Sequence, residues 1–263
     1  MNAVLEQVLA DLSAEGDALE ALVAPLDEAG WRTMTPAEGW DVATTIVHLA
    51  WTDTAAIAAG TDKEAWDALV LLAMADPSGF VDAQAFEGAK ASGAEILAGW
   101  NAGRPALVTM LREFPTGEKL PWFGPPMSPA SMATARFMET WAHSLDVAAA
   151  LGADYTPTDR IRHVAHLGVR TRNFSFGVHE LTPPTEDFRI DLVAPSGEVW
   201  SWGPEDAAQT LTGPAYDFCL LVTQRANRAD LALVANGTDA DRWLDIAQAF
   251  AGPSGKGRAA VSG

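Results

Sequence analysis

A helical bundle followed by a smaller α+β domain is the fold class this sequence predicts, and three observations predict it. Apolar residues recur at helical spacing through the first half of the 263 residues. From Asp187 onward the pattern alternates with a period of two. Between them, Tyr155-Thr156-Pro157-Thr158 reads as a boundary. The division is therefore drawn at residues 1–155 and 156–263, the latter holding a linker helix and the α+β unit.

Val4, Val8, Leu12, Leu19, Leu22, Val23 and Leu26 predict a first helix over 2–28 that stops near Gly30. Asp41, after the turn-forming Thr35-Pro36-Ala37-Glu38-Gly39-Trp40, is placed to cap a second helix carrying His48 and running through Trp51. Lys63 to Ala75 is a shorter amphipathic piece, and Ala83 to Phe114 reads as one long helix ended by Pro115-Thr116-Gly117. A rigid aromatic loop, Pro121 to Pro129, precedes a helix over 130–152 containing Glu139 and His143. Four main helices in a bundle bury these faces most simply.

Asp159 to Phe176 predicts one further helix. Phe188 to Ala194, the turn Pro195-Ser196-Gly197 and Val199 to Trp202 form a hairpin signature. A strand near 208–211, a helix over 215–225, a strand at 231–235 and a helix over 239–250 complete the unit, ahead of a loop or flexible tail.

The formal charge of −18 and the pI near 4.5 set a negative field around the molecule, which excludes duplex nucleic acid as a partner. The local basic runs are Arg160–Arg162 and Arg170–Arg172. Cys219, the single cysteine, lies in an apolar run and reads as a buried inert thiol. The acidic start Met1-Asn2-Ala3-Val4-Leu5-Glu6 lacks the features of a signal peptide, and no stretch reads as membrane-spanning, so the expectation is a cytoplasmic protein with no membrane partner.

Glu139 and His143 are four apart on one helix and share a face, so carboxylate and imidazole can converge on one ion. The same spacing also arises in a solvated surface pair. His48 is the third candidate, giving a two-histidine, one-carboxylate set with room for water or substrate. Such ligands suit zinc and equally iron, manganese or nickel.

The segment Gly39-Trp40-Asp41-Val42 through His48-Leu49, followed by Glu139-Thr140-Trp141-Ala142-His143-Ser144-Leu145-Asp146, resembles the mycothiol-dependent maleylpyruvate isomerase family of the DinB/YfiT-like metal-binding superfamily. The resemblance covers roughly residues 1–155, a DinB-like four-helix bundle. Leu211 to Ala215, leading to Thr223-Gln224-Arg225, is similar to the α+β domain attached to that family. It implies a divalent metal, usually zinc, on His48, Glu139 and His143, with a low-molecular-weight thiol such as mycothiol as cofactor. In the isomerase reaction a thiolate adds to an activated cis double bond, the bond rotates, and elimination restores the trans alkene. Related members transfer thiols instead. The segment Arg170 to Glu180 and the tail resemble an uncharacterised actinobacterial subgroup, whose reaction the resemblance does not name.

Arg170, Arg172, Arg225 and Arg228 are each read as a carboxylate or phosphate clamp or as a surface ion pair, with Arg225 favoured as a clamp because the family uses a late arginine near its substrate. His179 is an acid or base at a domain junction, or half of a loop pair with Glu180. Trp122 is a pocket lid contacting cofactor or a loop anchor, and Trp141 points into the core. His163 and His166 read as a polar linker face, since Arg160 and Arg162 would repel a cation. Ser144 and Asp146 support the ligands or solvate the helix. The resulting expectation is a metal- and thiol-dependent isomerase or transferase for a small, anionic substrate, its pocket between the two domains. A thiol-independent lyase or hydrolase and a non-catalytic metal- or ligand-binding protein are the alternatives, and oligomeric state is not legible.

Overall fold

Local chemistry at the ends of the helices decides much of the architecture in this computed structural model, which describes residues 3–261. The Asp41 carboxylate accepts hydrogen bonds from the Thr44 amide and hydroxyl, both at 2.7 Å, and starts helix α3 (Val42–Thr61). Ser128 accepts from the Ser131 amide ahead of α7 (Pro129–Leu151), whose first residue is a proline that has no amide to leave unpaired. Gly152 ends α7 in the left-handed conformation, φ +63°, where a side chain would be strained.

The first compact unit ends at Tyr155. Its bundle is made of α1 (Ala3–Val23), α3, α6 (Gly93–Glu113) and α7, with α3 packed on α6 and α1 on α7. Leu19, Val23, Ile46, Leu49, Trp100 and Val147 belong to one buried cluster joining all four. Three short helices, α2 (Glu28–Trp31), α4 (Lys63–Ala75) and α5 (Phe80–Gly88), pack beside α3.

The predicted helix over 2–28 divides: α1 stops at Val23, just before Pro25, and Asp27 caps the separate α2, while Asn2 lies outside the described residues. The predicted helix over 83–114 also divides. Ser92 and Glu95 form a reciprocal capping box that starts α6 afresh after α5. One detail of the sequence reading needs correcting: α3 is long and apolar enough, by length and composition, to cross a membrane. Most of α3 is buried inside the bundle, which accounts for its apolar composition without a bilayer.

The second unit begins at Thr156. A 3₁₀ turn (Asp159–Ile161), α8 (Arg162–Arg170) and α9 (Arg172–Val178) replace the single helix expected over 159–176. Strands β1 (Phe188–Val193) and β2 (Val199–Trp202) form the expected hairpin, with Ile190 opposite Trp202. Strand β3 (Gln209–Pro214) runs longer than predicted and lies parallel to β1, and β4 (Val234–Asn236) pairs antiparallel with it, giving the order β2-β1-β3-β4. The helices α10 (Ala215–Val222) and α11 (Thr238–Ile246) are shorter than expected and pack on this sheet.

Phe188, Phe218 and Trp243 form the aromatic centre of this unit. Gly203, at φ +79°, turns so close to β1 that a Cβ would lie 2.0 Å from the Phe188 carbonyl oxygen. Cys219 is buried, and burial pushes its thiol well above the usual range, so it is unsuited to nucleophilic work. The tail is irregular but tied down: Asn227 donates to the Arg258 carbonyl at 2.9 Å, and the Val261 amide donates to Asp230 at 2.9 Å. Of the expected loop or flexible tail, the structure shows an irregular loop hydrogen-bonded to its own unit.

Candidate metal centre

His48 comes from the middle of α3, while Glu139 and His143 project one turn apart from α7. Their convergence follows from the α3–α7 packing, which places two distant stretches of chain on one buried spot. Glu139 Oε2 lies 3.4 Å from His48 Nε2 and 3.5 Å from His143 Nε2. Among the described residues these three form the group of His, Cys, Asp and Glu whose ligand atoms come within 4.8 Å of one another.

Those separations are long for strong hydrogen bonds. They match the edge of a tetrahedron, because two ligand atoms each about 2.0–2.1 Å from a tetrahedral ion lie about 3.4 Å apart. Two imidazole nitrogens and one carboxylate oxygen are also a donor set that zinc accepts, with a fourth position left for another ligand. The residues present therefore fit a divalent cation.

The electrostatics prepare the same donors. Burial foremost, with His143 and Arg136 adding to it and Glu139 opposing, lowers the His48 pKa and keeps its ring neutral with a free lone pair. Burial opposes the charge on Glu139, but His143, His48 and the Arg136 guanidinium outweigh it and hold the carboxyl well below its ordinary range. Both effects favour the protonation states that ligate metal.

Support around the ligands is partly legible in the sequence. Asp146 Oδ2 stands 3.3 Å from His143 Nδ1, so this buried carboxylate orients the imidazole and leaves Nε2 toward Glu139. Ser144 instead donates to the Thr140 carbonyl and serves the helix. Trp141 is buried and donates from Nε1 to the Tyr155 hydroxyl at 2.7 Å, in agreement with its expected core position.

Two neighbours were missed. Trp40 stacks on His143 at 5.7 Å between ring centroids and tilts against His48 at 5.1 Å, walling one side of the site. Arg136, 4% exposed, sets Nη2 4.0 Å from Glu139 Oε1, and its guanidinium lies 5.3 Å from the Trp122 ring. The signal for Arg136 was its position three residues before Glu139 on the same face. Trp40 stood in the Gly39-Trp40-Asp41-Val42 segment that carries the family resemblance, but its contact with the imidazoles depends on how the turn folds back.

Trp122 also stacks on Trp66 at 5.8 Å and meets Phe123, so it anchors the loop and covers Arg136 together. Trp51 joins Phe80 and Phe123 in the same aromatic cluster. The remaining candidates belong to the second unit. Arg172 donates to the Glu186 carbonyl and lies 4.4 Å from the Phe188 ring. Arg225 donates to the Thr223 carbonyl at 2.7 Å. His179 lines a cavity of about 310 Å³ with Asn227, Arg228 and Lys256. Arg170 closes α8, where with burial, the larger cause, its charge helps lower the pKa of His166. Arg228 pairs with Asp241 and Asp245, the surface ion pairs its sequence context suggested. His166 accepts from Trp202 at 3.4 Å, as part of a polar helix face.

Comparison with known proteins decides the family. The sequence model of the mycothiol maleylpyruvate isomerase N-terminal domain matches residues 12–148, just over half of the chain and all three candidate ligands. The chain belongs to the mycothiol maleylpyruvate isomerase family. A relative in Mycobacterium tuberculosis, present in two strains as an uncharacterised protein, is 56% identical over 250 residues, covering 95% of this chain and 97% of its own. The crystal structure of the mycothiol-dependent maleylpyruvate isomerase matches with a TM-score of 0.59 at 15% identity, over 88% of this chain and 92% of that one. At that identity the likeness shows a shared fold, a helical bundle followed by a small four-stranded α+β unit. A second sequence model, described as wyosine base formation, matches residues 184–236 within the second unit.

Proposed function

We propose that this member of the family is a divalent-metal-dependent enzyme that uses a low-molecular-weight thiol, mycothiol or a close analogue, for isomerisation or S-transfer on a small anionic substrate. The observation that carries the proposal is the approach of both imidazole Nε2 atoms, at 3.4 and 3.5 Å, to the same oxygen of Glu139. A divalent ion, zinc foremost, would supply Lewis acidity there and lower the pKa of a thiol to make it a nucleophile near neutral pH.

The chain's own residues have separate duties. His48, Glu139 and His143 would hold the ion. Asp146 keeps the proton of His143 on Nδ1 and its lone pair on Nε2. Arg136 offsets the Glu139 charge, and Trp40 keeps water from one side of the imidazoles. Residues 1–155 act as the metal-binding domain and 156–263 as its partner domain. Arg225 and His179 are proposed for substrate and proton handling, and Trp122, Arg170 and Arg172 for cofactor contact.

Zinc-loaded protein assayed with maleylpyruvate and with S-transfer acceptors, with and without mycothiol, tests the proposal. Turnover that requires mycothiol, disappears in H48A and falls in R225M with metal content unchanged is the expected result. Thiol-independent turnover, or no calorimetric binding of mycothiol by the metal-loaded chain, overturns it.

A further inference from the structure

A second cavity, of about 420 Å³, lies inside the helical unit between α1, α3, α6 and α7. Its lining does not include His48, Glu139 or His143. Its volume falls in the range of small-molecule sites, and Leu12, Trp100, Leu107 and Val108 give it apolar walls.

The polar groups divide into satisfied and unsatisfied ones. Arg104 is committed: Nη1 donates to Glu20 at 2.9 Å, Nη2 donates to the Ser13 carbonyl at 3.0 Å and to Asp17, and its guanidinium lies over Trp100. Gly16 makes room for it, since a Cβ there would sit 2.5 Å from Arg104 Nε. Asn101 donates to the other Glu20 oxygen at 2.6 Å. Asp53 differs. Only 6% exposed and lining the same cavity, it makes no hydrogen bond or ion pair among the described residues.

A buried carboxylate without a donor is costly, and native folds keep such groups where a ligand or bound water completes them. The lining carries three carboxylates, Asp17, Glu20 and Asp53, against the Arg104 guanidinium, with Arg136 acting on Asp53 from outside the lining, so acid still outnumbers base and the cavity favours positive charge. They do not form a metal-ligand cluster, because the group that converges closely enough among the described residues is the one around His48. We propose that this cavity binds a small organic ammonium ligand, its cationic head on the Asp53 carboxylate and its apolar body against Leu12, Trp100 and Leu107.

Burial pushes the Asp53 carboxyl up to about 7, with Arg136 and Arg104 pulling it down and Glu139 adding to the rise. At pH 8 it is mainly ionised and lacks a partner. Glu139 and Arg136 of the metal centre act on Asp53 through charge, but the proposal does not require an ion there.

Calorimetry and saturation-transfer NMR at pH 8 on the full chain test the proposal, with benzylammonium as probe and benzyl alcohol as its uncharged counterpart. One equivalent of benzylammonium binds the wild type and H48A alike, and at least about tenfold more weakly in D53N, since a charge-assisted hydrogen bond is lost. Benzyl alcohol binds the wild type at least about tenfold more weakly than benzylammonium. L12W, which fills the cavity and keeps the charge, also loses binding, and circular dichroism confirms that each variant is folded. Equal binding by D53N, equal binding of the alcohol, or no binding to the wild type at millimolar probe overturns the proposal.

Discussion

Replacing Asp53 with asparagine should make the protein more stable at pH 8, although it removes a charged side chain. The folded-state carboxyl titrates at about 7 against an ordinary value of 3.8. The folded state therefore binds this proton more tightly than the unfolded chain, and stability falls as pH rises from about 4 to 7. A difference of about three pKa units corresponds to about 4 kcal/mol of accumulated cost above pH 7. Arg136, Arg104 and Glu139 face the group and are unchanged by the substitution, so the difference between the two proteins isolates Asp53. Urea unfolding followed by tryptophan fluorescence, at pH 5 and pH 8, measures it. D53N should gain stability over the wild type on going from pH 5 to 8 by an amount on the order of 3 kcal/mol. If the two proteins keep a constant difference across that range, the reasoning from a buried, unpartnered carboxylate is refuted.

Other substitutions separate support from ligation. Asp146→Asn removes the carboxylate beside His143 Nδ1 and should weaken zinc binding about 10- to 100-fold, measured by competition with a chromogenic chelator, while His48 and Glu139 stay in place. Trp141→Phe deletes the hydrogen bond to Tyr155 inside the bundle and should cost about 1–3 kcal/mol in urea unfolding, with metal content unchanged because the ring points away from the ligands.

The parts of the fold legible in the sequence are those decided by local chemistry. Asp41 was read as a helix cap and the structure uses it, while the helix expected over 130–152 lies within one residue of α7 at each end, where Ser128 and Gly152 cap it. The capping box Ser92-x-x-Glu95 was equally local but lay hidden inside an alanine-rich stretch that reads as continuous helix. Pairing was harder. The hairpin of β1 and β2 announces itself through its turn, whereas the parallel pairing of β1 with β3 depends on packing between segments that share no turn.

The same division holds at the metal centre. Glu139 and His143 were legible from their spacing, and His48 was added by its position on another bundle helix and by family resemblance. Trp40, the cover that Trp122 gives Arg136, and Asp53 were not, because burial and tertiary approach have no one-dimensional signal. An aspartate in an apolar helix reads the same whether it faces open solvent or lines a cavity between helices. Local rules end where helices meet side to side.

Metal content is the most direct measurement of the central proposal. Elemental analysis of purified wild type, H48A, E139A and H143A, each loaded with zinc, dialysed and checked for folding by circular dichroism, should show about one ion per chain in the wild type and little in any variant. A wild type that retains no metal after loading, or folded variants that retain as much as the wild type, would contradict the assignment of His48, Glu139 and His143 as its ligands.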